Sequence, residues 1–245
     1  MQSIKAIVLT CDKYRAITDH MLFKYEQLWP GHPFHFRVPY QEFAPTLATG
    51  KVEYKKSEIG IKATVLTLLD DLDDEEWVYW CIDDKYPIAV DVPRVEEMYR
   101  WLARQTEISG ILFCRCRSMW DSRCLTGRAI VDDVKETYLE RKGYEQIWIH
   151  QFLRVKVLRH LFGSFPDVIP SAKSMDELKR QVTKPLTHRI FVSQENNAVF
   201  GESAARGIVT RNCHASMVAN GLALPPWFSK ATVHDVIMGG EIRPA

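Results

Sequence analysis

Two hydrophobic rhythms alternate along the first half of the chain. Ile4-Lys5-Ala6-Ile7-Val8-Leu9-Thr10 is a compact apolar run and predicts a first strand, followed by the loop Cys11-Asp12-Lys13-Tyr14. Over residues 16–29 the spacing becomes helical, with Met21, Leu22, Tyr25 and Leu28 on one face, and Pro30-Gly31 ends it. Phe34-His35-Phe36-Arg37-Val38 alternates apolar with polar, and Pro33 and Pro39 bracket it as a short edge strand. Residues 41–50 read as loop, and Lys51-Val52-Glu53-Tyr54 as another short edge strand. Helical spacing returns over 59–72 through Ile61, Val65, Leu68, Leu69 and Leu72. The aromatic and β-branched run Trp77-Val78-Tyr79-Trp80-Cys81-Ile82 predicts a buried strand.

Further on, Pro93 suits the first turn of a helix that turns Val95, Met98, Tyr99, Trp101 and Leu102 inward. Residues 111–116 read as a strand, and 134–139 as a helix capped from Asp132-Asp133. Residues 146–162 fit one long helix on the face of Trp148, Phe152, Val155, Leu158 and Phe162, with Arg154, Lys156, Arg159 and His160 solvated. Ser174-Met175-Asp176-Glu177 is a capping-box pattern for a short helix to about residue 182. His188-Arg189-Ile190-Phe191-Val192 predicts a strand, Glu195-Asn196-Asn197 a turn, and 199–203 and 207–210 two further short segments. Asn212 is placed to cap a last helix ending near Gly221. Strands alternating with helices predict an α/β protein: one domain over residues 1–245, with a mostly parallel central sheet flanked by helices.

Composition bounds this picture without redirecting it. With 245 residues, 46% apolar and 26% charged, the chain can build a core that needs no staples. A net charge of +1 supplies no general field, so no nucleic-acid partner is expected. Met1-Gln2-Ser3-Ile4-Lys5 runs straight into the first strand, and no apolar run approaches the roughly 20 residues of a membrane span; a soluble intracellular protein is expected. The scattered Cys11, Cys81, Cys114, Cys116, Cys124 and Cys213 make no disulfide framework. Cys114, Cys116 and Cys124 lack both the CxxC spacing and the nearby histidine of a zinc site, so reduced thiols are expected.

The candidate chemistry sits where the 77–82 strand ends, in Asp83-Asp84-Lys85-Tyr86-Pro87, with Pro87 expected to stop regular structure. Adjacent carboxylates repel. A hard divalent cation shared with a substrate phosphate would hold them together, and a solvated turn is the plainer alternative. Two other acidic groups compete. The run Asp70, Asp71, Asp73, Asp74, Glu75 and Glu76 reads as a solvated connector, and Asp132-Asp133 is the main rival pair. Arg115, Arg117, Arg123 and Arg128 read as surface solvation, with a phosphate or acidic-sugar site as the sharper alternative.

The order helix, polar connector, apolar strand and carboxylate pair over residues 61–84 resembles the nucleotide-sugar glycosyltransferases of the GT-A fold. Ile7-Val8-Leu9-Thr10-Cys11-Asp12 is similar to their first strand and nucleobase loop, and Gln146-Ile147-Trp148 to the segment before their acceptor-side helix. The resemblance covers roughly residues 4–165. It implies a Rossmann-like domain with a nucleotide-sugar half (1–120) and an acceptor half (121–245). It also implies hexosyl transfer from a nucleotide sugar to the hydroxyl of a glycan or lipid-linked acceptor, such as a surface-polysaccharide intermediate, with Mn²⁺ or Mg²⁺. Carried onto this sequence, Asp84 is the first choice of metal ligand and Asp83 contacts ribose or metal. Thr10, Asp12 and Lys62 contact the nucleotide, and His214 is a late metal or phosphate ligand, with a surface histidine as the alternative. Glu202 is the candidate base of an inverting reaction, against a plain surface glutamate; a retaining reaction would not need it there. The aspartates here are adjacent, not spaced, which leaves open which one binds metal. A sugar-1-phosphate nucleotidyltransferase and a dinucleotide oxidoreductase would each carry glycines after strand one, where Thr10-Cys11-Asp12-Lys13-Tyr14 has none. A non-catalytic sugar- or nucleotide-binding protein of the same fold is the other class kept. The expected location is cytoplasmic, with peripheral membrane association left open.

Overall fold

A computed structural model describes residues 3–45, 50–115, 122–169, 172–205, 208–228 and 237–238. In chain order the strands are β1 (Ile4–Leu9), β2 (Phe34–Tyr40), β3 (Val52–Lys56), β4 (Trp77–Ile82), β5 (Lys85–Val90), β6 (Gly110–Leu112) and β7 (Leu125–Val131). They continue as β8 (Thr137–Arg141), β9 (Gln151–Arg154), β10 (Ile190–Ser193), β11 (Ala198–Glu202), β12 (Ala204–Ala205), β13 (Ile208–Val209) and β14 (Ile237–Met238). The helices are α1 (Arg15–Leu28), α2 (Ile61–Leu69), α3 (Val92–Leu102), α4 (Val155–Gly163), α5 (Ala172–Gln181) and α6 (Arg211–Ala219).

Nine strands form the central sheet in the order β3-β2-β1-β4-β9-β6-β10-β8-β7. β1 to β4 are parallel, β9 is antiparallel to both β4 and β6, and β10 is parallel to β6. β8 is antiparallel to both β10 and β7, so only β8 and β9 reverse and the sheet is mostly parallel. Alternate residues of β1 and β4 enter two separate cores, as the two-residue period of a strand requires. Ile4, Ala6, Val8, Tyr79 and Cys81 pack on one face with Met21 and Tyr25 of α1, Met98 of α3 and Met217 of α6. Ile7, Val78, Trp80 and Ile82 pack on the other with Val65 and Leu68 of α2 and Leu158 and Leu161 of α4. The expected α/β architecture, with helices on both faces, is what the chain adopts.

Several local expectations are overturned. β2, expected at an edge, lies between β3 and β1 and includes Pro39, and Arg154, expected to be solvated, is buried. The single helix expected over 146–162 is two elements: β9 in the middle of the sheet, then α4. Every residue of β9 is buried, so the two-residue alternation that marks a half-buried strand is erased. The helix expected over 134–139 is the turn into β8. Asp132 accepts from the N–H groups of Val134 (3.1 Å) and Glu136 (3.0 Å), and Lys135 takes a positive φ of 71° between them. Pro87 does not stop the chain but lies within β5. Among the described residues β5 pairs on one side only, with β11, so a residue lacking an N–H is tolerated at that edge. Thr210, not Asn212, caps α6, accepting from the Cys213 N–H at 3.3 Å. Cys116, Arg117 and Gly207 lie outside the described residues.

Charged pairing explains both charge runs at once. Lys156 and Arg159 of α4 pair with Glu75 and Asp74 of the acidic connector, while Lys55 and Arg37 pair with Asp70 and Asp71. The connector aspartates are exposed, as expected. The rival pair is structural too: Asp132 is buried against Arg94 and the Tyr138 hydroxyl, and Asp133 pairs with Arg104 on the surface.

Candidate functional site

β1 and β4 are parallel neighbours with Leu9 opposite Ile82, so the residues that follow each strand emerge at one edge of the sheet. The Asp83 N–H donates to the Leu9 carbonyl at 3.1 Å and ties the two ends together. Thr10 is buried there, shares a hydrogen bond with Thr18 at 2.7 Å, and its hydroxyl favours the charged form of the Asp83 carboxylate.

A cavity of about 520 Å³ opens at this edge, lined by Asp83, Asp84 and Lys85, by Glu202 of β11, and by Lys179 and Arg180 of α5. Burial, and then the neighbouring Asp84 charge, push the Asp83 carboxyl up to about 7. Burial also raises Asp84, with Lys85 opposing. The Asp84 side chain is 45% accessible, but the residue lines the cavity, so a polar ligand there would strip it of water. Lys85 Nζ lies 3.2 Å from Asp84 Oδ1 and 3.2 Å from Glu202 Oε1. Glu202, more than a hundred residues later in the chain, arrives because β11 pairs with β5 and sets it opposite Lys85.

A second cavity of about 510 Å³ adjoins the first, and Leu9 lines both. It lies between the end of β1, the start of α2 and the segment after β2, with Gln41, Phe43 and Ile59 in its wall. Phe43 is 72% and Ile59 82% exposed, so this wall holds apolar side chains with no cover of their own. Asp12 shapes it: its carboxylate accepts from the backbone N–H groups of Gln41 (3.2 Å), Glu42 (2.7 Å) and Phe43 (3.1 Å). Burial opposes the Asp12 charge, yet these donors hold its carboxyl below the ordinary value.

Thr10, Asp83, Asp84 and Glu202 therefore meet, with Asp12 at the adjoining cavity. Lys62 and His214 do not join them. Lys62 is held by Asp167 at 2.8 Å and lines neither cavity, and the His214 ring stacks on Phe228 at 4.7 Å. Each is engaged by a neighbour outside the two cavities.

Lys85, Lys179, Arg180 and Trp148 also stand at this cavity, and sequence reasoning assigned none of them a site role. Lys179 is buried, paired with Asp176 at 2.6 Å and set 5.4 Å from the centre of the Trp148 ring. The Trp148 indole N–H donates to Asp176 at 2.8 Å, so α5 is fastened to the edge by a polar clasp. The available signal was the basic last turn of α5.

The carboxylate pair fits a hard divalent cation. Its two adjacent carboxyl groups line the cavity and are the kind of oxygen donor such an ion takes. Among the described residues no set of three or more His, Cys, Asp or Glu side chains is gathered for a metal. A Mg²⁺-type ion does not require one, since one or two carboxylates with substrate phosphates and water suffice.

Compared with protein-family models and with curated proteins, the chain matches none. Among solved structures it is similar to an active-site mutant of LgtC, at 12% identity and TM-score 0.42, over 74% of this chain and 66% of that one. A second LgtC structure, described as a galactosyltransferase in complex with donor and acceptor sugar analogues, matches at 12% identity and TM-score 0.40, over 87% of this chain and 78% of the other. A 2-C-methyl-D-erythritol 4-phosphate cytidylyltransferase from Francisella tularensis matches at 12% identity and TM-score 0.42, over 89% and 99%. The chain thus spans just under two thirds of the first of these structures.

Proposed function

We propose that the chain is a glycosyltransferase of hexosyl type, transferring a sugar from a nucleotide sugar to a hydroxyl of a glycan or lipid-linked acceptor. The observation that carries this reading is the pair of adjoining cavities at the sheet edge. One is walled by exposed apolar side chains and suits a planar base, with Phe43 and Ile59 to pack on it. The other is lined by carboxylates and cations and suits a sugar diphosphate. Ligands of open α/β sheets bind at this edge, beyond the carboxyl ends of the strands.

In this reading Asp83 and Asp84 would hold Mn²⁺ or Mg²⁺, which when bound neutralises charge on the leaving diphosphate. Asp12 orders the loop against which the base rests, and Thr10 steadies Asp83. As the bond between the anomeric carbon and the phosphate oxygen breaks, the acceptor oxygen bonds to that carbon. Glu202 takes the acceptor's proton, the role of a base in an inverting transfer. Lys179 and Arg180 supply positive charge along the α5 wall for the diphosphate. No helix among the described residues is long and apolar enough to cross a membrane. We place the reaction in the cytoplasm, and a lipid-linked acceptor would be met at the membrane surface.

A thermal-shift screen of nucleoside diphosphates and nucleotide sugars, with and without Mn²⁺, tests the reading. At least one nucleotide sugar is expected to raise the melting temperature, with a larger rise when Mn²⁺ is present, because a ligand of the native state stabilises it. If no nucleotide shifts the transition in either condition, the donor site is misread. Pyrophosphate release from a nucleoside triphosphate and a sugar phosphate would instead mark a nucleotidyltransferase.

A further inference from the structure

Lys85 is a buried charge to which the transfer chemistry assigns no task. It opens β5 directly after the carboxylate pair and is 3% exposed. A lysine this deep is costly unless its ammonium is paired. Two acceptors meet it among the described residues, Asp84 Oδ1 and Glu202 Oε1, each at 3.2 Å. The backbone repeats the link, since the Ser203 N–H donates to the Asp84 carbonyl at 2.7 Å. β11 is thus clamped to the end of β4 at two levels. An ammonium has three N–H donors, and Lys85 lines the same cavity as Asp83 and Asp84. A buried ion pair is a poor source of stability, because desolvation offsets the attraction; an apolar pair would serve packing as well or better. The cation therefore calls for a purpose at the cavity itself.

We propose that Lys85 is a built-in phosphate-binding cation, giving its third N–H to an oxygen of the donor diphosphate while its other two hold Asp84 and Glu202 in one frame. The inference rests on the donor-site reading of this cavity. It adds that the diphosphate charge is shared between a protein cation and the divalent metal. Binding of a diphosphate should then persist, weakened, when metal is removed, and that residual binding should depend on Lys85. Lys179 already has Asp176 and the face of Trp148, so it is a less complete substitute.

The test is calorimetric titration with inorganic pyrophosphate and with a panel of nucleoside diphosphates, in EDTA and in Mg²⁺. Wild type is expected to bind in both conditions. Lys85→Met should weaken binding in EDTA by about tenfold or more, the worth of one charge-assisted hydrogen bond, and by less in Mg²⁺. Lys85→Arg should recover part of the loss. Melting temperatures establish whether each variant folds. Because Lys85→Met leaves two acids facing each other, the double variant Lys85→Met/Glu202→Gln keeps the charge balance and decides the matter if the single variant does not fold. Failure of wild type to bind any of these anions in either condition would overturn the donor reading. Wild-type binding with Lys85→Met, or the double variant, within about twofold of it in EDTA would overturn the inference alone.

Discussion

Asp83 and Asp84 carry opposite obligations within one residue of each other. Asp83 reaches back to Thr10 and the end of β1, whereas Asp84 reaches forward to Lys85 and through it to Glu202. Replacing Asp84 with Asn is nearly isosteric, so the fold should hold while one charged oxygen donor is lost. Metal-dependent binding of a nucleoside diphosphate should fall by at least about tenfold, since Mg²⁺ and Mn²⁺ favour charged oxygen. Glu202→Gln should bind the same ligand normally and lose transfer, as expected of a group needed only in the chemical step. Calorimetry beside a transfer assay separates the two variants. Unchanged affinity and metal dependence in Asp84→Asn would mean that the pair is only a turn. The Asp83-Asp84 location was legible in the sequence because it depends on a local pattern, an apolar run ending in two acids. The fates of Asp12, Lys62 and His214 were not, because each depends on a partner brought by folding: the Gln41–Phe43 backbone, Asp167 and Phe228.

Among the elements, β6 is closely packed. It is three residues long and lies between β9 and β10. A Cβ on Gly110 would collide with Leu153 Cδ2 and stand 3.0 Å from Ile190 Cγ2 and 3.2 Å from the Phe152 carbonyl oxygen. Gly110→Ala should therefore destabilise the protein by about 1–3 kcal/mol, the usual range for overpacking. Urea unfolding should show a lower midpoint with an unchanged slope. A shift below about 0.5 kcal/mol would mean that β9 and β10 part easily there. The glycine itself is visible in the sequence, but its reason is not, since β9 was disguised as helix. β7 was hidden for the reverse cause: most of its residues are exposed, so no apolar pattern marks it.

At the scale of the whole molecule, a buried polar chain runs behind the carboxylate pair. The Ile82 carbonyl can only accept, so His150 Nε2 carries the proton and donates to it at 3.0 Å. Nδ1 then accepts from the Tyr25 hydroxyl at 2.6 Å, and the Tyr79 hydroxyl donates to Tyr25 at 2.8 Å. Burial lowers His150 from 6.5 to about 3, and His20, bonded to Ser216, to about 4. Both keep ordinary values in the unfolded chain, so acidification charges the unfolded state first. Stability that is complete above pH 6.5 is lost as pH falls toward 4, by up to about 1.4 kcal/mol per pH unit for each histidine. Asp83, raised to about 7, works in the opposite sense from its ordinary 3.8 upward, but His32 and His188, which burial also lowers to about 4, add to the two histidines. The melting temperature should thus be lower at pH 5 than at pH 7, and His20→Gln should reduce the difference. A melting temperature equal or higher at pH 5 would show that these rings are not held neutral.

The sequence by itself determined what depends on neighbours along the chain: the alternation of strands and helices through β4, the apolar runs of β1 and β4, and the acidic pair at the end of β4. Short-range periodicity and turn chemistry carry that information. Only the tertiary structure decided that β9 enters the sheet, that Pro87 rides on an edge strand, and that Lys85 meets Glu202. Those outcomes rest on which surfaces become covered and which distant strands pair. A fully buried strand and a buried helix can read alike in one dimension, and a charge's partner is chosen by proximity in three.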